Sequence, residues 1–241
     1  MEEKLNGIVL GGVSYGENDK ILNIFTLEKG TVSAKIKGVK KGGAKLKFAA
    51  ERFCFAEFVF SVKSDKRTVT GASLIDSFYP VREDLVKFYC AGTVIEFIKR
   101  FEIENIVSAD MFALTVSALK KIAYGNDSPR VALIEFLLSA LKTVGYGLNL
   151  EGCHVCGNHI DGRIFFDCFS GGFSCENHKD GFSREINYAT YLALRNVEDG
   201  ETVGEFNAVR CLRLLDFYLI NKPEEKLNSL KELLQLATEE E

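Results

Sequence analysis

Two short runs hold the side chains most capable of chemistry. Cys153-His154-Val155-Cys156-Gly157 is a Cys-x2-Cys closed by glycine, and Cys175-Glu176-Asn177-His178 is a Cys-x2-His; 18 residues separate Cys156 from Cys175. A two-residue gap lets both members of a pair reach one tetrahedral zinc ion, at about 2.3 Å for sulfur and about 2.1 Å for nitrogen, while the chain between the pairs turns back as a hairpin. With Cys153, Cys156, Cys175 and His178 as ligands the ion is coordinatively closed, so it holds the fold and keeps no position for an activated water. Cys168, His154 and His159 lie near enough in sequence to compete as ligands. Paired spacing favours the first set and leaves Cys168 as a packed thiol. The plainer alternative is a cysteine-rich loop with no metal.

The second chemical feature is charge. Net charge is −4, but residues 1–80 carry 13 Lys+Arg against 9 Asp+Glu, while the remaining 161 carry 17 against 25. The excess is concentrated: Lys35, Lys37, Lys40, Lys41, Lys45, Lys47 and Arg52 face only Glu51 in their stretch. Such asymmetry points to a polyanion partner for the first half, the bland counterpart being a solvated lysine-rich loop. Of nearby aromatic residues, Tyr15 in a turn and Phe48 beside the loop are candidates for base stacking; Phe25 and Phe53 are wanted for a core.

Catalysis finds little support. The chain has three histidines, His154, His159 and His178, all in or beside the cysteine region, so a histidine-based nucleophile would have to borrow from the metal site. Gly38 to Lys45 is rich in glycine and lysine without matching a phosphate-binding loop. The expectation is a protein with no catalytic residues and no enzyme activity.

The elements that must position these groups fall into two kinds. Strands are expected at Gly7–Ser14, Lys20–Leu27, Thr31–Val39, Arg52–Val62 and Arg67–Ile75, broken by turns at residues 15–18, 28–30 and 64–66. In the third, Val32, Ala34 and Ile36 alternate with Ser33, Lys35 and Lys37, which puts the lysines on the face opposite the apolar residues. From Val81 the period changes to three and four, giving a helix through Phe101, a second over Met111–Tyr124, and a third started by Asp127-Ser128-Pro129 and stopped at Gly145-Tyr146-Gly147. The third is apolar on more than one side and suits the centre of a bundle. Residues 151–182 lose that period; helices return over Ser183–Asn196, Glu205–Asn221 and Glu224–Leu236, before a tail of Glu239, Glu240 and Glu241.

The fold class that follows is α+β and multidomain: an N-terminal five-stranded OB-fold β-barrel at residues 1–79, with a sandwich fragment as the alternative for these strands, then an α-helical bundle at 80–241 with a zinc knuckle inserted at 151–182. Cys54, Cys90 and Cys211 read as buried small hydrophobes. An odd count of seven cysteines argues for reduced thiols, no apolar run suits a membrane span, and Met1-Glu2-Glu3-Lys4 does not begin a signal peptide, so a cytoplasmic location is expected.

The segments Gly7-Ile8-Val9-Leu10, Tyr15-Gly16-Glu17-Asn18-Asp19-Lys20-Ile21-Leu22-Asn23-Ile24-Phe25-Thr26 and Gly30 through Lys41, with the order barrel, bundle, and knuckle after a leucine-rich helix ending in Gly-Tyr-Gly-Leu, resemble the RecO recombination mediators of bacteria. The resemblance covers essentially the whole chain. It implies binding of single- and double-stranded DNA, annealing of complementary strands and, with RecR, loading of RecA onto strands coated by single-stranded DNA-binding protein. It gives Lys35, Lys37, Lys40, Lys41 and Lys45, with adjoining Lys47, as DNA contacts. The family's loop is usually arginine-rich; here lysines with Gly42-Gly43 keep the charge but lose bidentate geometry. The competing readings are a protein-interaction adaptor whose barrel binds RNA or nothing and, less favoured, a zinc hydrolase.

Overall fold

A computed structural model describes residues 1–102, 104 and 106–239. Of the expected acidic tail, Glu240 and Glu241 lie outside the described residues. The chain divides into two compact units, Met1–Arg82 with Ile95–Val116, and Glu83–Val94 with Ser117–Glu241. The expected break at 79/80 falls beside the first of these junctions, and residues 95–116 group with the barrel.

In the first unit β1 (Glu2–Tyr15), β2 (Asp19–Thr26), β3 (Gly30–Ile36), β4 (Phe55–Lys63) and β5 (Lys66–Asp76) close a barrel in the order β1-β2-β3-β5-β4. This is the five-stranded barrel the alternation pointed to. β1 is longer than expected because its charged start pairs with β4, from Glu2 opposite Ser61 to Ile8 opposite Phe55, while Gly7 to Tyr15 pair with β2 across a bulge at Val9/Gly11. Leu5, Val9, Leu22, Ile24, Val32, Ala34, Ile36, Phe58, Phe60 and Val69 fill the interior. At about 25 cal/mol per Å² of apolar area, burying each large side chain stabilises by about 1.5–3 kcal/mol.

Two boundaries move for backbone reasons. β3 ends at Ile36, short of Val39, because Gly38 turns with φ +66°; β4 starts at Phe55 because Phe53, at φ +73°, cannot continue a strand. At the first position of β3, Gly30 has φ +65°, and a Cβ there would sit 1.9 Å from the carbonyl oxygen of Ile106, so only glycine fits. Ser64 and Asp65, both with positive φ, make the two-residue turn from β4 to β5.

The helices are α1 (Leu85–Phe101), α2 (Ala109–Tyr124), α3 (Pro129–Thr143), α4 (Tyr188–Glu198), α5 (Glu205–Asn221) and α6 (Asn228–Glu239). The start of α3 is as read: the Ser128 hydroxyl accepts from the Arg130 N–H, and buried Val131, Leu133, Ile134, Phe136, Leu137 and Leu141 cover several of its sides. In the second unit α3 packs on α4 and α5, and α5 on α6. The helix expected from Ser183 begins instead at Tyr188, capped by Asn187, because Arg184–Ile186 forms a strand, β9, pairing with β7 (Ile164–Asp167). The last helix begins at Asn228 rather than Glu224, whose φ of +59° breaks helical continuity. β6 (Asn149–Cys153), β8 (Gly172–Cys175), β7 and β9 form the second sheet in that order. Phe166 and Phe173 fasten it to the helices through Tyr218 and Tyr191, whose hydroxyls donate to the Tyr146 and Leu150 carbonyls.

Candidate nucleic-acid interface and metal centre

The basic loop, residues 37–47, is a chain of tight turns. Backbone N–H groups of Lys41, Ala44 and Lys47 donate three residues back, to Gly38, Lys41 and Ala44. Its start is tied to the β1–β2 turn, where the Lys40 N–H donates to the Asn18 carbonyl and the Gly38 N–H to Asp19 Oδ1 at 2.8 Å. Val39 is buried, and Leu46 and Phe48 pack against the barrel core. Those apolar pins leave Lys37, Lys40, Lys41, Lys45 and Lys47 exposed. Phe48 is therefore an anchor rather than a stacking surface, because its ring is spent on the core.

Lys35 behaves differently. Half-buried on β3, its Nζ lies 2.8 Å from Asp19 Oδ2 and 4.4 Å from the centre of the Tyr15 ring, which is itself exposed. Lys35 and the Gly38 N–H together hold the Asp19 carboxyl below its ordinary range. Solvent screens this pair, so it orders the loop more than it stabilises the barrel.

Parallel pairing of β3 with β5 sets Ala34 opposite Arg67 and Lys35 opposite Thr68. This opens a groove of about 660 Å³ whose polar lining is Tyr15, Ser33, Lys35, Lys66, Arg67 and Thr68 together with the acidic Asp65 and Glu104. Exposed Lys66 was missed in the sequence because a β3–β5 contact leaves no local pattern; Arg67 is committed to Glu3 at 3.0 Å.

The second unit brings the two cysteine-histidine runs together. Cys153 ends β6, Cys156 sits in the turn after it, Cys175 ends β8 and His178 lies in the helical turn Glu176–His178. The Gly157 N–H donates to the Cys153 carbonyl and the Cys153 N–H to that of Asn158; a Cβ on Gly152 would come within 2.7 Å of that same Asn158 oxygen. All four ligand atoms lie within 4.8 Å of one another, with His178 Nδ1 at 3.2 Å from Cys175 Sγ and 3.9 Å from Cys153 Sγ. A tetrahedral zinc ion needs ligand separations of about 3.6–3.8 Å, so the cluster could hold a metal ion and its donor set fits zinc. Against the burial that raises it, N–H groups of Cys156, Cys175 and Val155 bring the Cys153 thiol down to about 6, so it tends to the thiolate a metal requires. Arg163 bridges Glu176 and Glu185 and ties the second ligand pair to β9.

The sequence competitors stand apart from the cluster. Cys168 is buried, and burial beside Asp167 pushes its thiol up. His154 packs on Gly172, and His159 Nε2 lies 3.3 Å from Asp161. Cys54, Cys90 and Cys211 are buried, with thiols raised by desolvation, to about 11 for Cys54 and about 12 for Cys211. Among the described residues no helix is long and apolar enough to cross a membrane.

A closed barrel of OB type with an inserted Cys3His cluster in a separate helical unit defines the class of protein. Residues 1–78 match the family model Recombination protein O N terminal, and residues 82–231 match Recombination protein O C terminal. A protein of Anaeromyxobacter sp. is 32% identical over 202 residues, covering 82% of this chain and 79% of its own, and one of Acetivibrio thermocellus is 28% identical over 204 residues, covering 80% and 81%. A third, from Exiguobacterium sibiricum, is 26% identical over 245 residues and covers 98% of both chains; each carries the name DNA repair protein RecO. The chain belongs to the RecO family of DNA repair proteins.

Proposed function

We propose that this chain is a recombination mediator that binds single- and double-stranded DNA through its barrel, anneals complementary strands and, with RecR, helps load RecA onto strands coated by single-stranded DNA-binding protein. It acts in the cytoplasm by binding, without catalysis. Residues 1–79 are the DNA-binding domain, and residues 80–241 the helical domain.

The observation that carries this reading is the pinned loop: Val39, Leu46 and Phe48 turn inward while Lys37, Lys40, Lys41, Lys45 and Lys47 stay in solvent beside Lys35. Ammonium groups on a pre-ordered loop neutralise phosphates and release condensed counterions, which supplies sequence-independent and salt-sensitive affinity. Tyr15 offers a face for one base. A structural zinc ion on Cys153, Cys156, Cys175 and His178 would cross-link β6 to β8 and leave no open coordination position.

Filter binding of an oligothymidylate across a salt series tests the reading. The expected result is affinity that falls steeply with salt; no affinity at low salt would leave the adaptor reading in its place.

A further inference from the structure

The seven cysteines differ in how far solvent reaches them. Cys54, Cys90, Cys153, Cys168 and Cys211 are buried and Cys175 is half-buried, which leaves Cys156 as the exposed thiol of the chain. It stands in the turn after β6, between Val155, which is 56% exposed, and Gly157, whose φ of +73° turns the chain. Cys153 is its counterpart three residues back: it is 1% exposed, and backbone N–H groups of Cys156, Cys175 and Val155 are directed at its sulfur. The two belong to one closed turn, because the Gly157 N–H donates to the Cys153 carbonyl, and their sulfurs fall within the 4.8 Å that spans all four ligand atoms. A disulfide between them needs side-chain rotation rather than a new backbone path.

An accessible thiolate with a second thiolate behind it makes oxidation reversible. A peroxide reaches the first sulfur, and the second sulfur displaces the added oxygen before another peroxide arrives. Without such a neighbour the first sulfur goes on to a sulfinate, which thiols do not reverse. Burial keeps Cys54, Cys90, Cys168 and Cys211 from taking either part.

We infer that the knuckle is a peroxide-sensitive switch in which Cys156 is the attacked thiolate and Cys153 the resolving one. The inference goes beyond the DNA-binding reading and rests on the zinc ion proposed with it. The Cys156 thiolate attacks one peroxide oxygen; the O–O bond breaks, the other oxygen leaves as hydroxide and takes a proton to become water, and Cys156 is left as a sulfenic acid. The Cys153 thiolate then attacks the Cys156 sulfur, the S–O bond breaks, and that oxygen leaves as a second water after taking a proton from solvent. The two thiolates lose two electrons and the peroxide gains them. Cys175 and His178 remain, two of the four ligands that a closed site needs, so the ion is released. The new bond joins residues of one turn and, unlike the ion, does not tie β6 to β8. Oxidation therefore loosens the second unit, and a dithiol with zinc restores it.

The test treats the zinc-loaded full chain with hydrogen peroxide. Zinc release is followed with a colorimetric chelator too weak to strip the untreated protein, disulfides by peptide mass spectrometry, and Tm by calorimetry. The expected result is about one zinc released per chain, a Cys153–Cys156 disulfide, unmodified Cys168 and a Tm lower by roughly 10 °C or more, all reversed by dithiothreitol with added zinc. Cys156→His keeps four ligands and should slow release at least roughly tenfold, whereas Cys168→Ser should release at the wild-type rate. Zinc retained under peroxide overturns the switch and leaves the metal reading standing; untreated protein that holds no zinc removes both. A Cys153–Cys175 disulfide with Tm preserved, a Cys156 sulfinate in place of a disulfide, or slower release from Cys168→Ser overturns the switch as well.

Discussion

The basic loop and the metal knuckle are both irregular, glycine-bearing segments set between strands, yet they are held by opposite arrangements. In residues 37–47 apolar side chains go in and charged ones go out: Val39, Leu46 and Phe48 meet the barrel core while five lysines stay exposed. In residues 153–178 the polar ligand atoms converge on one another, and Phe169 is left 57% exposed. The inward groups do the holding. One segment therefore leaves its charged groups in solvent, and the other draws its ligand atoms together within its own fold.

Cutting the knuckle should have the largest effect. Cys153→Ser is expected to lower Tm by roughly 10 °C or more, because metal binding is coupled to folding, and a chelator should do the same to the wild-type protein. Calorimetry with zinc analysis checks both; an unchanged Tm in Cys153→Ser would remove the structural ion. Cys168→Ala sharpens the point, since loss of a packed thiol should cost about 1 kcal/mol with zinc content intact.

Breaking the other side of the comparison should leave Tm alone. Replacing Lys40, Lys41 and Lys45 together by alanine should weaken single-strand binding roughly tenfold or more and reduce the salt slope by about 2, with Tm within a few degrees of wild type. Loss of folding in this variant would mean the loop is structural after all.

The smallest effect is expected at Asp19, which tethers the loop through Lys35 and Gly38. Asp19→Asn should speed amide exchange at Gly38 and Lys40 several-fold. Because the folded carboxyl titrates below its unfolded value of about 3.9, the tether's contribution is present above that value and is lost as pH falls through the lower folded one. Wild type and Asp19→Asn should thus converge in acid. Exchange rates that already agree at neutral pH would show that Asp19 does not order the loop.

Local spacing made much of this molecule legible. The two-residue gaps of the ligand pairs, the Ser128-Pro129 helix start and the alternation in β3 are relations between near neighbours, and each appears in the structure. Where reading failed, a distant partner decided: β9 replaces a helical turn because β7 is there to pair with it, and Phe48 turns inward because the barrel core receives it.

Strand alternation, helix period and ligand spacing come from geometry within a few residues, so the order of elements and the four ligand candidates were determined by the chain alone. Which lysines remain free in solvent, the arrival of Lys66 beside β3, and the burial of Cys153 beside exposed Cys156 depend on pairings between residues far apart in sequence. Only closure of the barrel and packing of the helices create those neighbours, because no local periodicity encodes a contact across so long a loop.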